Sequence, residues 1–292
     1  MAEKKILGPP DPDDMGPRGE LENDRRVGTQ DLTDWRTPLG QLLAALTHRL
    51  SRFLGPNKTL VLLLAVGAAV AAVLTYLVSE VYEAVTDADG VALLDQPLLD
   101  ASLGLRSPLL DGVATAYTDV AGKIGMPVVA LVFLVVLALR RRSWTPVILI
   151  AAAGAGSLLM TVAGKELIGR ARPDRADAVP PYEYSPSFPS GHTLNATVVA
   201  GIVAYLLILR QSTAVARTLT IAVAVVFVVT VGLSRVFLGH HWFTDVLAAW
   251  VLGAAWLAVV ITAHRLYLTT RERDATGVDP QPVGRQGRRA AR

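Results

Sequence analysis

Residues 218–245 read TLTIAVAVVFVVTVGLSRVFLGHHWFTD. The stretch has two halves. Thr218–Ser234 is uncharged and built from Val, Leu, Ala, Ile and Phe with a few small polar residues. A run of this kind approaches the ~20 apolar residues that cross a bilayer core. Directly after it come Arg235, His240, His241 and Asp245. Ionisable groups at the edge of an apolar span are costly unless they serve a site or reach the interface. An apolar run that ends in a polar cluster sets the reading of the rest of the chain.

Working outward, Thr59–Ser79 is uncharged for 21 residues, and Thr145–Gly164, Thr193–Leu209 and Val246–Ala263 are similarly apolar. Ile124–Leu139 is shorter and is expected to borrow residues before Lys123. This predicts six spans, each a helix, because lipid offers the backbone no hydrogen-bond partners. Composition agrees. Of 292 residues 52% are hydrophobic and 18% charged, against about a quarter charged in a soluble domain. The absence of cysteine excludes disulfides, thiolate metal sites and a cysteine nucleophile. A formal charge of +3, with no Lys/Arg-rich stretch interleaved with aromatics, argues against a nucleic-acid partner.

The ends differ from the middle. Residues 1–58 hold nine Lys/Arg and nine Asp/Glu, with prolines at 9, 10, 12 and 17, and show no leader of the cleaved kind. Residues 1–38 read as a disordered cytoplasmic tail. Residues 39–58 read as an amphipathic interfacial helix, since Leu39, Leu42, Leu43, Leu46, Leu50, Phe53 and Leu54 recur at helical spacing; an ordinary helix packed on the protein fits the same pattern. Residues 59–264 form the membrane domain, and 265–292 a basic, largely disordered cytoplasmic tail. Arg140, Arg141, Arg142, Arg210, Arg217 and the tail arginines belong on the cytoplasmic side by the positive-inside rule. The stretch 80–123, with eight acids against Arg106 and Lys123, belongs outside and is expected to carry one or two short interfacial helices. No leader, multiple spans and a composition rich in Ala, Val and Arg suit a multi-pass protein of a bacterial plasma membrane, with both termini cytoplasmic.

Three polar clusters then fall on the outer face. Lys165 and Arg172-Pro173 close the third span. Pro189-Ser190-Gly191-His192 opens the fourth. Ser234-Arg235, His241 and Asp245 follow the fifth. Each has an ordinary reading: interface anchors for Lys165 and Arg172, a turn with Ser190 as helix cap, and a second cap in Asp245. Together they assemble two histidines, three fixed cations, a Ser-Gly turn and a carboxylate on one side of one bundle. Histidine serves as nucleophile or general acid near neutral pH. Cations and the N–H groups of a helix start suit phosphate. A carboxylate four residues after a histidine can hold its ring in one tautomer. No second carboxylate cluster is available for magnesium, so no metal and no cofactor are expected.

These three motifs, Lys165-x6-Arg172-Pro173, Pro189-Ser190-Gly191-His192 and Ser234-Arg235-x5-His241-x3-Asp245, resemble the signatures of the type 2 phosphatidic acid phosphatase superfamily. That superfamily includes bacterial membrane lipid phosphatases, glucose-6-phosphatase and vanadium haloperoxidases. The resemblance covers roughly residues 59–264. It implies an all-α, polytopic six-helix bundle of the phosphatidic acid phosphatase and haloperoxidase kind. It also implies a metal-independent phosphatase acting on a lipid phosphate or diphosphate at the outer leaflet. His241 is implied as the nucleophile that becomes a phosphohistidine, Asp245 as its orienting carboxylate, and His192 as general acid and base. Lys165, Arg172, Ser190, Gly191 and Arg235 are implied as phosphate ligands.

The spacing selects His241 over His240, which reads as a neighbour that packs or meets headgroups. His48 and His264 read as interfacial groups on the opposite side. Arg170 and Arg175 are extra cations that draw in an anionic headgroup or stay solvated. The loop Pro180–Phe188, with Tyr182, Tyr184 and Phe188, is a lip over the substrate entrance or an aromatic belt. The substrate tail is expected to enter sideways between helices, as a glycerolipid phosphate or an isoprenoid diphosphate such as undecaprenyl diphosphate. The alternative activity is a lipid phosphotransferase with an alcohol acceptor. A soluble haloperoxidase is opposed by the six apolar spans. A proton-relay transporter would need ionisable groups near the bilayer midplane.

Overall fold

The computed structural model describes residues 24–55, 58–60, 62–69, 73, 75, 76 and 90–276. Helix α1 spans Pro38–Leu54, α2 Asp95–Gly104, α3 Pro108–Asp119, α4 Gly125–Arg141, α5 Thr145–Ile168, α6 Gly191–Ile208, α7 Ala214–Phe237 and α8 Phe243–Thr276. The protein is a helical membrane bundle. Helices α5, α6, α7 and residues 243–271 of α8 are each long and apolar enough to cross a bilayer. Lys58–Ala69 is a shorter apolar helix; the rest of the expected span 59–79 lies largely outside the described residues.

Local chemistry explains the helix ends. Thr37, Ser107 and Thr213 each accept a backbone N–H with the side-chain oxygen, and prolines occupy the first turns of α1, α3 and α5. Helix α5 stops at Gly169, in the left-handed conformation (φ +59°) that glycine adopts without steric cost.

Helix α6 is the centre. Ten of its residues are buried, among them Leu194, Ala196, Val198, Ile202 and Leu206, and it packs on α5, α7 and α8. Lipid tails are as apolar as leucine, so close backbone approach at small residues carries much of the association. At Gly156 of α5 an added Cβ would sit 2.1 Å from the ring of Trp256 on α8, and at Gly201 of α6 2.2 Å from Leu257. Trp256 is buried, and its indole N–H donates to the Ala152 carbonyl at 3.2 Å.

Several expectations are corrected in detail. Helix α4 borrows nothing before Lys123; it starts at Gly125 and runs on through Arg141. Arg141 is buried, donates to the Leu206 carbonyl and pairs with Asp24 at 3.3 Å, so the extra turn is satisfied inside the protein. Residues 24–35, expected in a disordered tail, form a short antiparallel hairpin with Arg26–Val27 against Gln30–Asp31. Asp24 also pairs with Arg210 at 3.1 Å, and Trp35 bonds Thr269 of α8 at 3.0 Å. Helix α8 continues past Ala263 to Thr276. His264 is not interfacial; it is fully buried and pairs with the Tyr205 hydroxyl at 2.8 Å. In α1 the buried residues are Gly40, Ala44, Thr47 and Ser51, while Leu39, Leu42, Leu46 and Phe53 are exposed.

Gly156→Ala is expected to destabilise the bundle by ~1–3 kcal/mol, the usual penalty for overpacking a filled core. Gly154, one turn-edge away, faces open space, so Gly154→Ala should unfold close to wild type. Thermal unfolding of both variants in one detergent checks the pair.

Candidate active site

The three polar clusters converge at one end of the bundle. Lys165 comes from the last turn of α5, Arg172 from the loop after it, Ser190-Gly191-His192 from the start of α6, Arg235 from the last turn of α7, His241 from the turn between α7 and α8, and Asp245 from the first turn of α8. Helix ends place side chains at the rim of a bundle without interrupting its apolar middle.

His241 is fully buried, and its two ring nitrogens face different partners. Nδ1 lies 3.4 Å from Asp245 Oδ2, and Nε2 lies 3.2 Å from Arg172 Nη1. The Nδ1 contact is long for a hydrogen bond. Burial, with Arg172 and Arg235 close by, pushes the imidazole well below its ordinary titration range. At neutral pH it is therefore uncharged, the form that carries a nucleophilic lone pair. Asp245 Oδ2 also accepts from the Ser187 hydroxyl and, at 3.0 Å, from the Trp242 N–H.

The expected phosphate ligands surround the same point. Arg172 donates to the carbonyls of Ser185 and His240. Arg235 is fully buried, and its Nε has no partner among the described residues. Lys165 donates to the Pro186 carbonyl. The Ser190 N–H donates to the Asp245 carbonyl at 3.3 Å, and its hydroxyl pairs with Thr193 at 2.9 Å rather than capping α6.

Glu183 was invisible to motif reasoning and occupies the middle of this arrangement. Its Oε2 takes Arg172 Nη2 at 3.1 Å, its Oε1 takes Arg235 Nη2 at 2.5 Å, and Oε1 lies 3.9 Å from His192 Nδ1. Burial alone would raise its pKa, but Arg235 and then Arg172 outweigh that and hold it at about 2. Glu183 therefore stays a carboxylate across the neutral range, with its two oxygens bridging two of the three cations expected for phosphate.

The remaining candidates separate clearly. His240 is buried, bonds the Val179 carbonyl at 2.7 Å, and is lowered to about 4 by burial and by Arg235. That makes it a packed neighbour of His241. Arg175 stacks on Tyr184 at 4.6 Å. Of the loop aromatics, Phe188 is fully buried while Tyr182 and Tyr184 are exposed. Arg106 ties the loop between α2 and α3 to this end of the bundle through the Phe237 and Asp177 carbonyls. From the polar end a cavity of about 750 Å³ runs down between α4, α5 and α6. Lys165, Glu183, His192 and His241 line its head, and Leu131, Leu134, Ile150 and Leu158 line its apolar length.

The chain is similar to known proteins in sequence and fold. The PAP2 superfamily model matches residues 144–267, which include all eleven residues named in the three motifs above. Phosphatidylglycerophosphatase B of Bacillus subtilis (strain 168) is 34% identical over 167 residues, 56% of this chain and 80% of that protein. The crystal structure of the transmembrane PAP2-type phosphatidylglycerolphosphate phosphatase from Bacillus subtilis is similar with a TM-score of 0.58. It is 29% identical and covers 65% of this chain and 93% of that one.

Glu183→Gln removes the charge that Arg172 and Arg235 share. Breaking such a buried pair is destabilising, so the variant should melt below wild type without added anion. Inorganic phosphate, binding the freed cations, should raise its midpoint more than it raises that of wild type. Equal shifts in the two proteins would show that carboxylate and phosphate do not compete for the same cations.

Proposed function

The chain belongs to the PAP2 superfamily, and on that footing we propose that it removes the terminal phosphate of a membrane glycerolipid of the phosphatidylglycerol phosphate kind. One observation carries this reading: a polar head holding Lys165, His192 and His241 and a long apolar cavity are parts of the same space. The head matches a phosphate and the cavity matches an acyl chain reaching in from the bilayer between α4 and α5.

In the proposed reaction His241 Nε2 attacks phosphorus in line. The bond to the lipid oxygen breaks as a phosphohistidine forms. Asp245 holds the Nδ1 proton on the far side of the ring. His192 donates a proton to the departing lipid oxygen, then takes one from the water that cleaves the phosphohistidine to inorganic phosphate. Lys165, Arg172 and Arg235 meet the charge that builds on the phosphoryl oxygens, with Ser190 and the Gly191 N–H beside them. The unpartnered Arg235 Nε supports that placement, because a buried donor without an acceptor is expensive. Glu183 stands where phosphate oxygens would lie, so it swings aside as substrate enters.

The orientation is part of the proposal. Arg141, Arg210 and Arg265, with the docked N-terminal hairpin, gather at the end away from His192 and His241. By the positive-inside rule that end faces the cytoplasm and the end with His192 and His241 faces outward. Helix α1 lies along the cytoplasmic interface with its exposed leucines in lipid.

The test is phosphate release in detergent with EDTA present, from phosphatidylglycerol phosphate, phosphatidic acid and undecaprenyl diphosphate in parallel. His241→Ala should lose at least ~10³ in kcat. Release that survives in this variant would remove the histidine from the reaction. A preference for undecaprenyl diphosphate would move the substrate class, and loss of activity in EDTA would overturn metal independence.

A further inference from the structure

Arg170 lies outside the three motifs and outside the lining of the large cavity, yet its guanidinium is placed with unusual economy. Helix α5 ends at Ile168, and the left-handed Gly169 turns the chain so that the next side chain points back toward the start of α8. Arg170 Nη1 then donates to Asp245 Oδ1 at 2.6 Å, and Nη2 to Asp95 Oδ2 at 2.7 Å. Nη1 also reaches the Thr244 hydroxyl at 2.8 Å. Asp95, the first residue of α2, closes the ring. Its Oδ1 accepts the Thr244 N–H at 2.8 Å and its Oδ2 accepts the Thr244 hydroxyl at 2.7 Å, so a carboxylate from another helix caps α8.

The two oxygens of Asp245 have separate duties. Oδ2 faces His241 Nδ1, the Ser187 hydroxyl and the Trp242 N–H. Among the described residues Oδ1 is bonded by Arg170. Without that bond one oxygen of a fully buried carboxylate would be unsatisfied, and the group would be free to turn about its Cβ–Cγ bond. The Arg170 carbonyl also accepts the Ser187 N–H at 2.8 Å, so its main chain carries the second group that holds Asp245.

We propose that Arg170, braced by Asp95, is a positioning residue for the reaction: it fixes the rotation and the charge of Asp245 and thereby the aim of His241. The inference rests on the reading of His241 and Asp245 as nucleophile and orienting carboxylate. It gives an outer-end helix, α2, a direct mechanical link to the reacting imidazole through three side chains.

The experiment is steady-state kinetics on the full chain in detergent, with the lipid phosphate that wild type cleaves. Arg170→Gln should lower kcat by roughly 10²-fold, the loss that a small misplacement of a reacting group can cause. KM should stay within about threefold, because no substrate contact is removed. Arg170→Lys keeps the charge but cannot bridge both carboxylates, so it should recover part of the loss. Asp95→Asn should fall in the same direction by a smaller factor. In an Asp245→Asn background Arg170→Gln should cost little more, since groups acting as a unit are not additive. Equal losses in both backgrounds, or a loss carried mainly by KM, would overturn the proposal. Inhibition by inorganic phosphate reports whether the cradle of each variant is intact. If Arg170→Gln loses it, Arg170→Lys and Asp95→Asn are put through the same cycle, and additive losses there overturn the proposal equally. A wild-type protein that releases no phosphate from any lipid phosphate would be a failure of the underlying activity instead.

Discussion

Two guanidinium groups, that of Arg235 buried and that of Arg172 largely so, share one carboxylate at the polar end of this bundle, and much of the architecture follows from keeping them satisfied. Arg235 and Arg172 arrive from opposite sides, one on a spanning helix and one on a loop. Neither could be withdrawn from water without an anion between them. Glu183 provides that anion, and the loop that carries it is held down by the Arg172 bonds to Ser185 and by the burial of Phe188. The same loop positions Ser187 against Asp245. Charge compensation at the rim therefore organises the segment that covers the candidate site.

Around that rim the bundle is made by shape. Helix α6 is buried along most of its length and meets α8 at Gly201 against Leu257 and at Thr197 against Gly253, while Trp256 and Trp250 of α8 fill the recesses at Gly156 of α5 and Gly232 of α7. The polar end and the apolar middle are thus separable. Helix ends bring in the charged groups, and the helix bodies need only fit.

What could be read in the sequence was what recurs locally. Apolar runs announced helices α5 to α8, and the three motifs named residues that fold to one place because each sits at a helix end. The loop residues were illegible for the opposite reason. Glu183, Ser187 and Arg170 have no periodicity, and their partners lie between 9 and 75 positions away. Arg170 read as a spare cation beside the first motif, and only the fold reveals two carboxylates converging on it. Asp95 read as one acid among eight in an acidic connection. The end of α4 and the burial of His264 were likewise decided by remote partners, Asp24 and the Leu206 carbonyl in one case and Tyr205 in the other.

Glu183 has a consequence for how charge moves on binding. A pocket of bare cations would take up an anion and change its net charge as it did so, making capture strongly dependent on ionic strength. Here the resting protein already holds its counter-ion in covalent tether. If a lipid phosphate takes the place between Arg172 and Arg235, the carboxylate moves aside but stays in the protein, so the two cations are never left without an anion beside them. Binding of that kind is an exchange at the two cations: it is weakened toward stray phosphate and quick to reverse once the lipid has been cut free, because the tethered carboxylate is always present at high effective concentration to reclaim its site.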